Sequence, residues 1–184
     1  GIIGAGPAGL ACAEELRKLG YKITIYDRYD RPGGLLIYGI PNFKLEKFVV
    51  KRRTNLLKKS GIKFEQNIEI GKNFSFSQLK KKHDAVLIAT GVYKQREVDL
   101  PGQQLQNIFP AMEFLTASNR KGLGEKVKNF DNGILNVKNK NVVVIGGGDT
   151  AMDCVRTAIR QNAKSVKCLY RRDKDNMPGS AREV

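Results

Sequence analysis

The chain has 184 residues, 33 basic against 18 acidic, for a formal net charge of +15 and a pI near 9.9. No apolar run approaches the roughly 18 residues of a membrane span, so no span is expected within these residues, and no signal peptide is visible among them. The three cysteines, Cys12, Cys154 and Cys168, form no C-x-x-C pair, which removes a dithiol relay and an iron–sulfur cluster held within these residues.

In chain order, Ile2 and Ile3 are the tail of an apolar strand, followed by the turn Gly4-Ala5-Gly6-Pro7-Ala8-Gly9. Residues 7–19 carry apolar positions at helical spacing and stop at Gly20, so a helix opens on the turn. In such a strand, turn and helix, the first glycine makes the tight turn, the second admits a pyrophosphate to the backbone, and the third lets the helix lie on the sheet. The anion would rest on the helix N-terminus, where free N–H groups and the dipole attract it. A second strand over 22–26 ends in Asp27, 18 residues after Gly9 (27 minus 9), close to the roughly 20-residue spacing at which an acid meets a ribose hydroxyl. A dinucleotide site is the reading.

Beyond Asp27, the stretch Arg31-Pro32-Gly33-Gly34-Leu35-Leu36 followed by Tyr38-Gly39-Ile40-Pro41 reads as a loop whose backbone can touch a ligand. Leu45, Phe48, Val49, Leu56 and Leu57 mark the inner face of a helix ended by Gly61, then come a strand over 62–65 and a short helix capped near Ser75 or Ser77. The apolar run 83–91 predicts a strand, and Thr90 and Gly91 at its carboxyl end should face the first nucleotide. His83, the only histidine, has no partner for a triad or metal set and reads as a surface residue. Residues 92–140 read as a connection containing one helix candidate over 110–118.

A second strand, turn and helix follows: Asn141 to Ile145, then Gly146-Gly147-Gly148-Asp149-Thr150-Ala151, a helix over 149–161 and a strand over 165–169. Ala151 stands for the third glycine, a permitted variant. This unit ends not in an acid but in Tyr170-Arg171-Arg172. Guanidinium groups pair bidentately with a 2′-phosphate that an acid would repel, so the second cofactor is expected to be NADPH and not NADH.

The fold expected is α/β, two Rossmann-like, doubly wound, three-layer dinucleotide-binding units, the second inserted in the first and both incomplete. Their bounds are taken as 1–103 for the first, 104–139 for the connecting segment and 140–184 for the second. With three residues before the first turn and an end just past a strand, the chain reads as a fragment cut at both ends. The basic runs Lys51-Arg52-Arg53, Lys58-Lys59 and Lys80-Lys81-Lys82 lie on amphipathic helices and lack interleaved aromatics, so they read as solvated faces, with an acidic protein partner as the next choice and no nucleic acid. Cys12 and Cys154 fall within predicted helices and read as packed free thiols in a reducing, cytoplasmic compartment.

The series GAGPAG, an acid after the second strand, GGLL-x-YGIP, a strand ending in ATG, AMEFL, GGGDTAMDC and YRRD-x-x-NMPGS-x-REV resembles the small (β) subunits of bacterial NADPH-dependent glutamate synthases over essentially the whole chain. The NADPH-binding arm of dihydropyrimidine dehydrogenase and the large subunit of NADH-dependent ferredoxin:NADP oxidoreductase share much of it. The resemblance implies FAD in the first site, NADPH in the second, and transfer through iron–sulfur clusters to a large subunit that makes glutamate from glutamine and 2-oxoglutarate. The clusters would belong to a cysteine-rich N-terminal domain that this chain lacks. Carried over by position, Gly4, Gly6, Pro7, Ala8 and Gly9 would meet the FAD pyrophosphate, Asp27 its ribose, and Gly34, Leu35, Thr90 and Gly91 the rest of the flavin nucleotide. Gly146, Gly148, Asp149, Thr150 and Ala151 would meet the NADPH pyrophosphate, and Arg171 and Arg172 its 2′-phosphate. Hydride transfer from nicotinamide to flavin requires stacking and exclusion of water, so no catalytic side chain is expected. A non-enzymatic nucleotide- or nucleic-acid-binding module has only the charge in its favour.

Overall fold

The computed structural model of the chain describes residues 1–93 and 101–183; part of the expected connection, residues 94–100, and the final Val184 lie outside them. Contacts divide the chain into one unit of Gly1–Ile37 with Leu45–Gln95 and another of Tyr38–Lys44 with Arg96–Val184.

The first unit runs β1 (Ile2–Ile3), α1 (Pro7–Lys18), β2 (Thr24–Asp27), α2 (Leu35–Tyr38, its last residue assigned to the second unit), α3 (Lys47–Lys59), β3 (Lys63–Gln66), α4 (Phe76–Lys82) and β4 (Leu87–Ile88). The four strands are parallel in the order β3-β2-β1-β4, the α/β arrangement expected from alternating strand and helix patterns. Ile2, Ala5, Leu10, Ala13, Ile23, Ile25, Leu57 and Ile62 form the core, with Cys12, Leu16 and Phe64 packed against it. Helix α1 ends where the sequence predicts: Gly20 donates to the Arg17 carbonyl and Tyr21 to that of Leu16, the paired bonds that satisfy the last carbonyls of a helix. Helix α4 is capped by Ser75, which accepts from the Gln78 backbone while Gln78 accepts from the Ser75 backbone.

Four expectations need correction. The stretch 31–36, read as loop, contains the start of α2, whose turn is closed by Leu36 and Ile37 donating to Gly33 and Gly34. The strand expected over 83–91 is reduced to Leu87–Ile88, because β1, its only neighbour among the described residues, offers just Ile2 and Ile3 for pairing. Helix α3 buries Lys47, Val50, Thr54 and Leu57, leaving Phe48 and Leu56 60% and 53% exposed, so the inner face lies about a third of a turn from the one predicted. His83 is half-buried rather than a free surface residue. Its Nε2 is 2.9 Å from the Tyr26 hydroxyl, and its ring stands edge-on to Tyr26.

The second unit contains α5 (Ala111–Gly122), α6 (Lys128–Asp131), β5 (Asn141–Ile145), α7 (Asp149–Arg160) and β6 (Ser165–Leu169). β5 and β6 are parallel, paired from Asn141↔Ser165 to Ile145↔Leu169. Leu115 and Ala117 of α5, Leu135, and Met152, Cys154 and Ala158 of α7 are buried, so residues read as a connection contribute to this unit's core. Asn119, buried on α5, donates to the Tyr38 and Gly39 carbonyls. Lys44 pairs with Asp153 of α7 at 2.9 Å and with Glu183 at 3.4 Å; burial pulls its ammonium pKa down, but the two carboxylates prevail and raise it.

Candidate functional site

The three glycines of the first turn answer to different neighbours. Gly4 has φ +108°, and a Cβ there would lie 2.3 Å from the Ala89 carbonyl oxygen; its N–H donates to Tyr26 at 2.8 Å. A Cβ on Gly9 would lie 2.0 Å from the Gly4 oxygen and 3.3 Å from Ile2 Cγ2, so this glycine sets how closely α1 approaches β1. A Cβ on Gly6 would meet nothing within 4 Å. The chain itself therefore needs the outer two glycines, and the middle one leaves an open cradle at the N-terminus of α1, where Pro7 and Ala8 occupy the first two positions and are exposed. A phosphate fits such a cradle, facing the amides that the first helical turn leaves without intrahelical partners.

Asp27 ends β2 and is 7% exposed. Its Oδ2 accepts the Ala5 N–H at 2.5 Å and its Oδ1 the Tyr29 N–H at 2.8 Å; each oxygen retains lone-pair capacity for a hydroxyl. Gly33 donates to the Ala5 carbonyl at 2.8 Å, and a Cβ on Gly34 would lie 2.9 Å from Gly6 Cα, so the second glycine pair rests on the first turn. Leu35 follows, 40% exposed. From α3, Lys47 donates to the Leu36 carbonyl at 2.9 Å, and burial lowers its ammonium pKa to about 8.

At the carboxyl ends of β1, β2 and β4 a cleft of about 290 Å³ brings Gly4, Asp27, Thr90 and Gly91 together. It is also lined by Arg28, Tyr29, Ile68, Glu69, Ile70 and Tyr93, which the sequence reading missed. The Arg28 guanidinium lies 4.2 Å from the Tyr93 ring centroid and 5.0 Å from that of Tyr29, a cation beside two rings whose own centroids are 5.8 Å apart. Burial raises the Tyr93 hydroxyl pKa, and the nearby Tyr29 and Asp27 add to the rise. The available signal was adjacency: Arg28 follows the ribose-binding candidate and Tyr93 stands two residues beyond Gly91.

The second turn repeats the division of labour. Gly146 has φ +137° and donates to Leu169 at 2.9 Å; Ala151 is buried. A Cβ on Gly147 would lie 2.8 Å from the Tyr170 ring, whereas one on Gly148 would meet nothing within 4 Å. Gly148 is thus the open position at the start of α7, as Gly6 is at the start of α1. Asp149 and Thr150 are exposed in the first turn of α7. Asp149 accepts the Ser180 N–H at 2.8 Å and Gly179 donates to Gly147 at 3.0 Å, so the 179–180 segment lies against the turn. Arg171 and Arg172 follow β6, exposed and without an ion pair among the described residues.

The sequence model of the pyridine nucleotide-disulphide oxidoreductase family matches residues 1–182. The chain is 62% identical over 184 residues to the glutamate synthase [NADPH] small chain of Azospirillum brasilense, covering all of this chain and 38% of that protein. It is 47% identical over 184 residues to the putative oxidoreductase AegA of Escherichia coli, covering 28% of that protein. The chain therefore spans well under half the length of these relatives. Among solved structures, FprA of Mycobacterium tuberculosis in complex with NADPH superposes with a TM-score of 0.79 at 20% identity, over 99% of this chain and 45% of that one. At that identity the likeness establishes the Rossmann-type fold.

Proposed function

We propose that this chain, which belongs to the pyridine nucleotide-disulphide oxidoreductase family, is the electron-input part of an NADPH-dependent glutamate synthase small subunit. The observation that carries the reading is the repeated open glycine: Gly6 and Gly148 each precede a helix and each leave the space of a side chain empty, two cradles for two pyrophosphates. FAD is assigned to the first, held by Gly4, Gly6, Pro7, Ala8 and Gly9, with Asp27 on its ribose and Gly34, Leu35, Thr90 and Gly91 along the nucleotide. NADPH is assigned to the second, held by Gly146, Gly148, Asp149, Thr150 and Ala151, with Arg171 and Arg172 on the 2′-phosphate.

When bound, the two cofactors supply the hydride donor and the hydride acceptor. The residues named here bind and orient, and none is assigned a proton transfer. Onward transfer, through iron–sulfur clusters to a large chain that forms glutamate from glutamine and 2-oxoglutarate, is assigned to parts of the protein beyond these residues. Cys12 packs against the core, Cys154 is buried with its thiol pKa pushed up to about 12 by that burial, and Cys168 donates to the Gly146 carbonyl.

The 62% identity to a glutamate synthase small chain favours this reading over an oxidoreductase of another kind, such as the putative oxidoreductase AegA, at 47%. The test is a full-length preparation assayed for flavin content, for NADPH-dependent dye reduction, and for glutamate formation when the large chain is added. Dye reduction without glutamate formation would select the second reading.

A further inference from the structure

The two glycine turns differ at the residue after the open glycine. Pro7 follows Gly6, and α1 has no acidic residue in its first turn, whereas Asp149 follows Gly148 and opens α7. A carboxylate beside a pyrophosphate cradle sets anion against anion, so its presence asks for another partner. The helix dipole makes an acid tolerable there, and the fold supplies the partner: Asp149 Oδ1 accepts the Ser180 N–H at 2.8 Å. The contact left to Asp149 at the cradle is its main-chain N–H, one of those that the first helical turn leaves without an intrahelical partner.

Ser180 lies on the segment that follows β6, the segment that carries Arg171 and Arg172. This segment folds back on itself. The Tyr170 hydroxyl donates to the Asn176 carbonyl at 3.1 Å, and Asp173 accepts the Asn176 N–H at 3.0 Å and its side-chain amide at 2.7 Å. At the far end Glu183 donates its N–H to the Ser180 carbonyl at 2.8 Å and pairs through its carboxylate with Arg156 of α7. The segment meets the glycine turn through Gly179, whose N–H donates to the Gly147 carbonyl at 3.0 Å, and through Ser180. The Gly179 bond is main chain to main chain, so Asp149 supplies the side-chain mooring. In the first unit the acid stands on the other partner: Asp27, at the end of β2, holds the Ala5 amide of its turn.

We infer that the Asp149 carboxylate is a positioning group for the 2′-phosphate. By mooring Ser180 it fixes the 170–183 segment against the turn and so places Arg171 and Arg172, without itself touching that phosphate. This rests on the assignment of NADPH to the second turn. Arginines on a segment already held in place lose less conformational freedom on binding than arginines on a loose one, and the benefit falls on the nucleotide that carries the 2′-phosphate.

The test uses full-length, flavin-loaded wild type, Asp149→Ala, Asp149→Asn and Ser180→Pro, the last removing the donor while leaving the carboxylate. NADP⁺ and NAD⁺, which differ only in the 2′-phosphate, are titrated by calorimetry without turnover, and amide hydrogen exchange is followed in the peptide spanning residues 173–180. Asp149→Ala and Ser180→Pro should each bind NADP⁺ about tenfold more weakly, change NAD⁺ affinity by less than about twofold, and exchange faster over 173–180. Asp149→Asn keeps an acceptor oxygen and should stay within about threefold of wild type for NADP⁺. Equal losses for NADP⁺ and NAD⁺ would place the side chain at the pyrophosphate, and unchanged or tighter NADP⁺ binding in Asp149→Ala would make the carboxylate a mere repellent. Either result, or a loss in Asp149→Ala that Ser180→Pro does not share, overturns the mooring and leaves the functional reading intact. Should Asp149→Ala not fold, Asp149→Asn and Ser180→Pro decide the case on the same readouts. A wild type that binds NAD⁺ as tightly as NADP⁺ would overturn both the mooring and the NADPH assignment.

Discussion

Ala5 donates its backbone N–H to the Asp27 carboxylate over 2.5 Å, tying the first glycine turn to the end of the neighbouring strand. Asp27 therefore shapes the turn itself, besides its proposed role on the ribose. Asp27→Ala should destabilise the fold by about 2–3 kcal/mol, because the buried Ala5 amide and the half-buried Tyr29 amide lose a charged acceptor. Asp27→Asn, which keeps one acceptor oxygen, should cost about half as much and still weaken flavin retention. Urea unfolding midpoints beside flavin absorbance for both variants measure this, and an unchanged midpoint for Asp27→Ala would show the bond to be incidental.

The glycines of the first turn should separate by what fails. Gly9→Ala and Gly4→Ala put a methyl carbon 2.0 Å and 2.3 Å from backbone carbonyl oxygens, so each should cost about 3 kcal/mol or prevent folding. A Cβ at Gly6 meets nothing within 4 Å, so Gly6→Val should leave stability within about 0.5 kcal/mol of wild type while abolishing flavin binding. Gly148→Val should likewise fold and keep its flavin, yet fail to oxidise NADPH. Thermal melts and flavin-to-protein ratios decide each case. A Gly148 variant that loses flavin while the Gly6 variant retains it would exchange the two site assignments.

Most of the fold was legible because its signals are local. Strands β5 and β6 and the starts of α1 and α7 were read at their observed positions, since Gly-rich turns, strand runs and helix periodicity agree there. Helix α3 was misread in rotation. Its buried stripe holds Lys47 and Thr54 beside Val50 and Leu57, and a hydrophobic pattern cannot identify a lysine that is buried to bond the Leu36 carbonyl. His83 was misread for a similar reason, its partner Tyr26 lying 57 residues away. At the site, glycine spacing located the cradles, whereas Arg28 and Tyr93 enter the cleft through a stacking that only the fold brings about.

Arg171 and Arg172 are exposed and make no ion pair among the described residues, so their effects should be confined to the cofactor. In the full-length protein each change to Ala should weaken NADPH affinity about tenfold to hundredfold, the equivalent of one charge-assisted contact of about 1.5–3 kcal/mol. NADH affinity and thermal stability should barely change. Titration of both nucleotides against wild type and the two variants checks this, and equal use of NADH and NADPH by the wild type would remove the 2′-phosphate role.

Lys47 makes stability depend on pH in a direction opposite to most ion pairs. Burial lowers its folded pKa from 10.5 to about 8, so below pH 8 both folded and unfolded chains carry the ammonium and its burial cost is fully present. Between pH 8 and about 10.5 the folded chain has released a proton that the unfolded chain still holds, and stability rises with pH. Lys47→Met removes the titrating group while keeping a chain of similar length to fill the space. The difference in unfolding free energy, wild type minus variant, should therefore increase by about 2 kcal/mol across that window, a figure discounted from the full shift for partial access of water. Denaturant titrations of both proteins at pH 7, 8, 9 and 10 provide the measurement, and because other lysines and tyrosines titrate alike in the two proteins, they cancel in the difference. A flat difference would mean that the ammonium is hydrated in solution and that Lys47 supports the Gly33–Gly34 loop without the cost of a buried charge.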